Sequence, residues 1–416
     1  MYLEKAVDVL KGIGKDTDKD ASSFPVLCWD PQHGWNNQYT KRLNGLESIK
    51  DCHFTLAGFV HTRDIPECEK LGLRALAFGD SDTITMRQWN NLWDDYSMSD
   101  KEIEEIIRKM VQRTGNSETV LGYFICDEPG ASMFPRLAKA VEYVNKYAPG
   151  KLAYINLFPD YATLGAPDQS QLETDSYEDY LERFATEVKP KVLSYDNYQV
   201  QYSMDMDTES KASSYYHNLL DIRRTAIKHG IPFWNIVSSN QIRPFTTIPS
   251  PANLFFQAYT TLAAGGRVVT WYTYYSRGYG YAPIDEEGNR TQTWYYLREV
   301  NRQLGEVGPI MNRMITTGVY FTSPAPVENL PLLPGKLVRQ VEAAGPVMLG
   351  EFKGDEGGDY VMLVNLSLRN SVKFKIRLQD EKQTVRVISP VDGKPALLDR
   401  EEGYWLVAGQ GVLLEL

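Results

Sequence analysis

Eight short apolar runs recur along the first two thirds of the chain: Phe24–Trp29, Phe54–Val60, Leu73–Phe78, Val120–Cys126, Leu152–Leu157, Val192–Tyr195, Pro232–Val237 and Val268–Tyr272. They are nearly continuous and do not alternate with polar residues. Strands of that kind are buried on both faces, as in a parallel sheet covered by helices. The intervening segments carry helical spacing. Ser99-Asp-Lys-Glu102 is a capping box that opens a helix through Ile103, Ile106, Ile107 and Met110, and Gly115 closes it. Residues 133–148, 177–188, 214–229 and 251–264 show the same spacing. Strands and helices alternating over roughly 290 residues predict a (β/α)8 barrel, whose usual size is about 250. An open doubly wound sheet competes, but no Gly-x-Gly-x-x-Gly follows the first strand.

The pattern changes after the eighth strand. A helix is expected over Thr291–Met314, followed by a Pro-rich segment at 322–337 and then by short alternating strands at 348–352, 360–365, 372–378, 385–388 and 411–416. Turns at Gly357-Gly358, Asp392-Gly393 and Gly409-Gln-Gly411 separate them, which predicts an antiparallel β-sandwich. The expected organisation is an N-terminal helix over 1–20, a barrel over 21–320 and the sandwich over 321–416.

Composition narrows the classes. With 416 residues, 43% hydrophobic and 12% aromatic, the chain can bury a large core, and disorder is excluded as its overall state. Its net charge of −10, without a dense Lys/Arg cluster, argues against nucleic acid as a partner. No apolar run is long enough for a transmembrane helix. Cys28, Cys52, Cys68 and Cys126 are too widely spaced for a zinc knuckle and read as buried thiols. The first fifteen residues lack the layout of a signal peptide, so the protein is either cytoplasmic or exported after loss of a leader.

In a (β/α)8 barrel, reacting groups gather where the strands end at their C-terminal side. The ends here carry Trp29-Asp30, Asp80, Asp127-Glu128-Pro129, Asn156, Tyr195-Asp196-Asn197-Tyr198, Ser238–Gln241 and Trp271–Tyr275, with Asn235 on strand seven. Acids, amides and aromatics fill this rim, the composition of a sugar-binding cleft. Trp29, Asp30, Asp80, Asn156, Tyr195, Tyr198, Asn235, Trp271, Tyr272 and Tyr274 are the candidate substrate-binding residues. Trp89, Trp93 and Tyr96 fit either a sugar-stacking loop or packing beneath it.

The sharpest element is Gly122-Tyr-Phe-Ile-Cys-Asp127-Glu128-Pro129. Two adjacent carboxylates after an apolar strand repel and lose solvent, so one should hold its proton near neutrality, as protonation of a glycosidic oxygen requires. The segment resembles the strand-four Asn-Glu-Pro signature of the large retaining-glycosidase clan of (β/α)8 barrels, with Asp127 in place of the Asn. That resemblance implies Glu128 as general acid/base, and the closing phrase at 409–416 is similar to that of the clan's C-terminal sandwich. Nearly the whole chain resembles glycoside-hydrolase-like barrel proteins of gut Bacteroidetes, which implies export to the periplasm or cell surface.

The clan places its nucleophile as a Glu at the end of strand seven, and residues 234–241 contain no carboxylate. Asp196, or Asp127 itself, is then the candidate second carboxylate. The set Asp127-Glu128, Tyr195-Asp196 and Trp271 also looks like barrels of the chitinase and hexosaminidase type, which implies attack by the substrate's own acetamido group. Inversion, with Asp196 or Asp80 as base for a water, is a third mechanism, and the carboxyl separation distinguishes it. The expectation is a glycosidase with a carbohydrate substrate and no cofactor or metal. A carbohydrate-binding barrel without turnover is its first rival. The second is a metal-dependent hydrolase with Asp30, His33, Asp80 and Asp127 as ligands.

Overall fold

The computed structural model describes residues 24–29, 45–78, 86–115, 117–163, 170–207 and 209–416. The expected N-terminal helix over 1–20 lies outside them, as do Asp30, His33 and Asp80. Strands β1 (Val26–Cys28), β2 (Leu56–Val60), β3 (Arg74–Phe78), β4 (Val120–Asp127), β5 (Leu152–Leu157), β6 (Leu193–Asp196), β7 (Phe233–Ser238) and β8 (Val268–Tyr272) follow one another in order round a closed barrel. Each matches one of the eight apolar runs. The pairings from β1 through β7 are parallel.

The helices also start and stop where their local chemistry dictates. Ser99 caps the helix Asp100–Thr114 with the full reciprocal box to Glu102, and Gly115 at φ 57° ends it. A second box, Ser250 with Asn253, opens the helix Pro251–Ala263. The helix expected over 177–188 is α-helical only over Tyr177–Arg183 and widens into a π turn over Phe184–Val188.

The chain divides into two compact units. One comprises the described residues up to Asp196 together with Arg224–Ile236, and the other Asn197–Arg223 with Val237–Leu416. In the first unit, rings from non-neighbouring strands meet: Trp29 and Tyr154 at 6.1 Å, Phe59 and Phe124 at 4.5 Å, Tyr154 and Trp234 at 5.3 Å between centroids. Side chains of strands that are not hydrogen-bonded to one another can touch only in the barrel interior, so these rings are its packing.

The second unit holds two antiparallel sheets. β9 (Met314–Phe321), β11 (Val347–Gly354), β12 (Asp359–Asn365), β17 (Gly411–Glu415), β14 (Arg386–Ile388) and β15 (Pro395–Leu397) make a six-stranded sheet; β10 (Val338–Ala343), β13 (Val372–Leu378) and β16 (Tyr404–Leu406) make a three-stranded one. One apolar cluster joins them, with Leu349, Leu363 and Leu414 from the first sheet and Val338, Phe374 and Ile376 from the second. The helix Pro251–Ala263 packs on the six-stranded sheet at glycines. A Cβ at Gly350 would lie 2.0 Å from the Ala263 carbonyl oxygen, and one at Gly409, where φ is +73°, 1.9 Å from that of Ala252. Only glycine permits that approach, which accounts physically for the Gly-x-Gly phrase at 409–411.

The helix expected to run to Met314 ends at Met311, and Met314–Phe321 forms strand β9. Pro309 in the last turn and the β-branched Ile315, Thr316, Thr317 and Val319 favour the switch.

Candidate active site

The parallel ladders place three of the candidate residues side by side. Asp127 at the end of β4 is in register with Asn156 of β5, and Asn156 with Ser194 of β6, two residues before Asp196. Because strand side chains alternate, Ser194 and Asp196 share one face, as do Tyr154 and Asn156. The Asn156 side-chain nitrogen donates to Asp127 Oδ1 and to Asp196 Oδ1, both at 3.0 Å. Ser194 Oγ donates to Asn156 Oδ1 at 3.1 Å, and the Tyr154 hydroxyl lies 2.8 Å from Ser194 Oγ. Glu128 and Asp196 are hydrogen-bonded to each other through their carboxyl groups.

Three carboxyl groups therefore share one small, partly dehydrated volume. Burial is the largest influence on Glu128, followed by the charges of Asp196 and Asp127; together they push it up to about 10 and keep it protonated at neutral pH. Burial and Asp127 also raise Asp196, while the donors Asn156 and Glu128 hold it down. One proton on the pair, carried by Glu128 and donated to Asp196, satisfies both groups.

The backbone at Glu128 is bent to suit. Its φ is +50°, a left-handed conformation that costs a non-glycine residue about 1–3 kcal/mol. It is held by the Glu128 amide donating to the Asn156 carbonyl at 2.8 Å and by the Tyr180 hydroxyl donating to the Pro129 carbonyl at 2.7 Å. The strand before it is clamped from the helix Met86–Leu92 and the residue after it. Asn90 receives the Asp127 amide at 3.0 Å and donates to its carbonyl at 3.2 Å, in the manner of a neighbouring strand. The Trp89 and Trp93 indoles both donate to the Ile125 carbonyl, at 2.8 and 2.6 Å. These two tryptophans are fully buried and serve packing, whereas Tyr96 is 67% exposed.

The other candidates are placed differently. Trp29 belongs to the interior ring stack. Tyr195 and Asn235 are buried within β6 and β7; Asn235 follows Trp234, whose ring faces Tyr154, so it lies on the strand's opposite face. In the second unit, Trp271 is fully buried with its indole donating to Asn301 Oδ1 at 2.8 Å, and the Tyr274 hydroxyl accepts from Trp294 at 2.8 Å. Both partners sit on the helix Gln292–Met311, so Trp271 and Tyr274 pack that helix. Tyr198 and Tyr272 stack on each other at 5.4 Å, and the Tyr272 hydroxyl lies 3.2 Å from that of Tyr279.

Ser194, Tyr154, Tyr180 and Asn90 were not among the candidates. Two of them had a signal: Tyr154/Asn156 and Ser194/Asp196 are polar pairs two apart inside apolar strands, which puts each pair on one face. Asn90 and Tyr180 come from helices and leave no such trace. Among the described residues, no group of three or more His, Cys, Asp and Glu side chains is arranged to hold a metal ion. Of the ligand set considered from the sequence, only Asp127 is described. Nor is any described helix long and apolar enough to cross a membrane.

No family model matches the sequence, and no curated protein matches it. Solved structures do match. The family 42 β-galactosidase from G. stearothermophilus superposes with a TM-score of 0.61 at 9% identity, over 94% of this chain and 98% of that one. A catalytic-mutant form of the same enzyme gives 0.60 at 8% identity, with the same coverage. A protein described as a glycoside hydrolase gives 0.52 at 11% identity, over 94% and 92%. At such identities the likeness is one of fold: a closed eight-stranded parallel barrel with a C-terminal β domain, in structural neighbours that are glycoside hydrolases.

Proposed function

We propose that this protein is a glycoside hydrolase that cleaves a glycosidic bond in an oligosaccharide or glycan, with Glu128 as general acid and Asp196 or Asp127 as the second carboxylate. The observation that carries the reading is the hydrogen-bonded set Glu128, Asp196, Asn156 and Asp127 at the ends of β4, β5 and β6. Glu128 holds a proton at neutral pH and can deliver it to a departing sugar oxygen. Asp127 and Asp196 supply negative charge where an oxocarbenium-like centre develops. A Glu128–Asp196 pair in direct hydrogen-bond reach lies nearer the ~5–5.5 Å of a retaining pair than the ~6.5–9.5 Å that leaves room for a water. This favours Asp196 as nucleophile or stabiliser over Asp196 as base in an inversion.

A second reading has its own support. Asp196 is only 3% exposed and is tied to Asn156, and β7 carries no carboxylate. A carboxylate so fixed is suited to orienting a group on the substrate, and a 2-acetamido group would then be the attacking nucleophile. An exported location, periplasmic or cell-surface, goes with the hydrolase reading and is checked by cell fractionation.

The test is Glu128→Gln on glycosides of graded leaving-group acidity, with 2-acetamido and 2-hydroxy sugars in parallel. Loss of a general acid costs about 10²–10⁴-fold in rate, and the loss should deepen as the leaving group becomes less acidic. Unchanged turnover removes Glu128 from the mechanism. Sugar binding by the unmodified protein with no turnover on any member of the series would instead support a binding barrel.

A further inference from the structure

Asn156 occupies a position that a substrate-binding amide could not hold while also contacting a sugar. Its side chain is buried, and every polar atom of it is already engaged. The nitrogen gives hydrogen bonds to Asp127 Oδ1 and Asp196 Oδ1, and the oxygen receives Ser194 Oγ, which is itself in contact with the Tyr154 hydroxyl. The orientation of the amide is not free. Turned over, it would set its oxygen against two carboxylate oxygens and its N–H groups against a hydroxyl. The carboxylates and Ser194 together enforce one rotamer.

We propose that Asn156 is a positioning residue that assigns the cluster's shared proton to Glu128. An amide nitrogen can only donate. Each aspartate oxygen facing it must accept, and that favours the ionised form of both. Glu128 receives no hydrogen bond from this side chain; only its backbone amide meets Asn156, at the carbonyl. Of the three carboxyl groups it is the one left to carry the proton, which it donates to Asp196. Among the described residues, the titratable groups around the cluster are Cys126 and Asp127 from β4, Glu128 directly after it, Tyr154 from β5, Asp196 from β6 and Tyr180 from the helix Tyr177–Arg183. Burial raises the phenols and the Cys126 thiol and keeps them neutral, so among the described residues the competition is among the three carboxyls. This inference rests on the reading of Glu128 as the acid, and it explains how a site with two aspartates in contact reach avoids protonating the wrong one.

The test reads protonation directly. Protein carrying ¹³C at the Glu and Asp carboxyl carbons is titrated by NMR, with Glu128→Gln and Asp196→Asn used to assign the signals. In the unmodified protein Asp196, raised to about 7, should give up its proton first, and Glu128 should still be neutral at pH 8. In Asn156→Ala each aspartate loses a donor to a charged acceptor, so the Asp127 and Asp196 midpoints should rise by about one unit or more and that of Glu128 should fall. Ser194→Ala, which leaves the amide in place but removes what fixes its rotamer, should move them in the same direction by less. It carries the test if Asn156→Ala does not fold. Unchanged midpoints in a folded variant overturn the proposal. Because protonation and not turnover is measured, shifted midpoints in a protein without glycosidase activity would sink the reaction and leave the proton assignment standing. Unchanged midpoints in an active enzyme would do the reverse.

Discussion

Holding a glutamic acid neutral at pH 7 weakens the fold, and the amount can be worked from the structure. In the unfolded chain a Glu releases its proton near pH 4.3. In the folded protein, burial and the two neighbouring aspartates raise Glu128 to about 10. Between those values the folded state binds a proton that the unfolded state has lost, so stability falls as pH rises. Below about pH 4 both states are protonated and the penalty vanishes. Glu128→Gln has nearly the same shape and no titration, so it should be the more stable protein at neutral pH. The difference accrues at up to about 1.36 kcal/mol per pH unit, hence at most about 2.7 kcal/mol between pH 5 and pH 7. Glu128 is partly open to solvent, which lowers the expected gap to about 2 kcal/mol. The assay is equilibrium urea denaturation of both proteins at pH 5, 6, 7 and 8, comparing midpoints at equal slope. Asp196, raised to about 7 and hydrogen-bonded to Glu128, titrates in the same range, so the comparison is repeated in an Asp196→Asn background. Parallel curves across this range, or a Gln variant less stable at pH 7, would refute the claim that the site stores this cost.

Two further substitutions probe the second unit. Gly350→Ala puts a Cβ 2.0 Å from the Ala263 carbonyl oxygen, a backbone atom that cannot swing aside, and should cost about 3 kcal/mol; a thermal midpoint equal to that of the unmodified protein would contradict the close approach. Glu351, fully buried, accepts the backbone amides of Leu337 at 2.8 Å, Val338 at 3.0 Å and Lys336 at 3.0 Å. Glu351→Ala strips three donors of their acceptor and should lose about 3 kcal/mol in urea denaturation, with Glu351→Gln recovering part of it; equal stability of the Ala variant would show that those amides find other partners.

The barrel was legible because a strand buried on both faces leaves a continuous apolar run, and a capping box leaves its own signature at Ser99–Glu102. The strands that escaped notice are those without such a mark. β15 is three exposed residues, β16 has one buried residue of three, β10 has only Val338 and Val341 buried, and β9 is parted from the preceding helix by no more than the Asn312-Arg313 turn. Their placement depends on partners far away in sequence, β16 on β13 and β9 on β11, which is the tertiary context that overrides local propensity.

The site divides along the same line. Asp127-Glu128 stood out because carboxylates after an apolar strand conflict with burial, and a conflict of that kind has to be resolved by partners. Trp271 and Tyr274 looked equally suitable, but identity at a strand end does not say which face a side chain takes. Trp271 and Tyr272 are adjacent and so point to opposite sides; the indole bond to Asn301 fixes Trp271 on the helix side. The same alternation, applied to polar residues inside strands, finds what aromatic counting missed. Tyr154 with Asn156 and Ser194 with Asp196 are pairs that an apolar strand would not tolerate singly, and together they form one chain of hydrogen bonds leading to the carboxylates. The cost of burying each is offset only by the next, so the proton on Glu128 and the polar residues two strands away are parts of a single electrostatic arrangement.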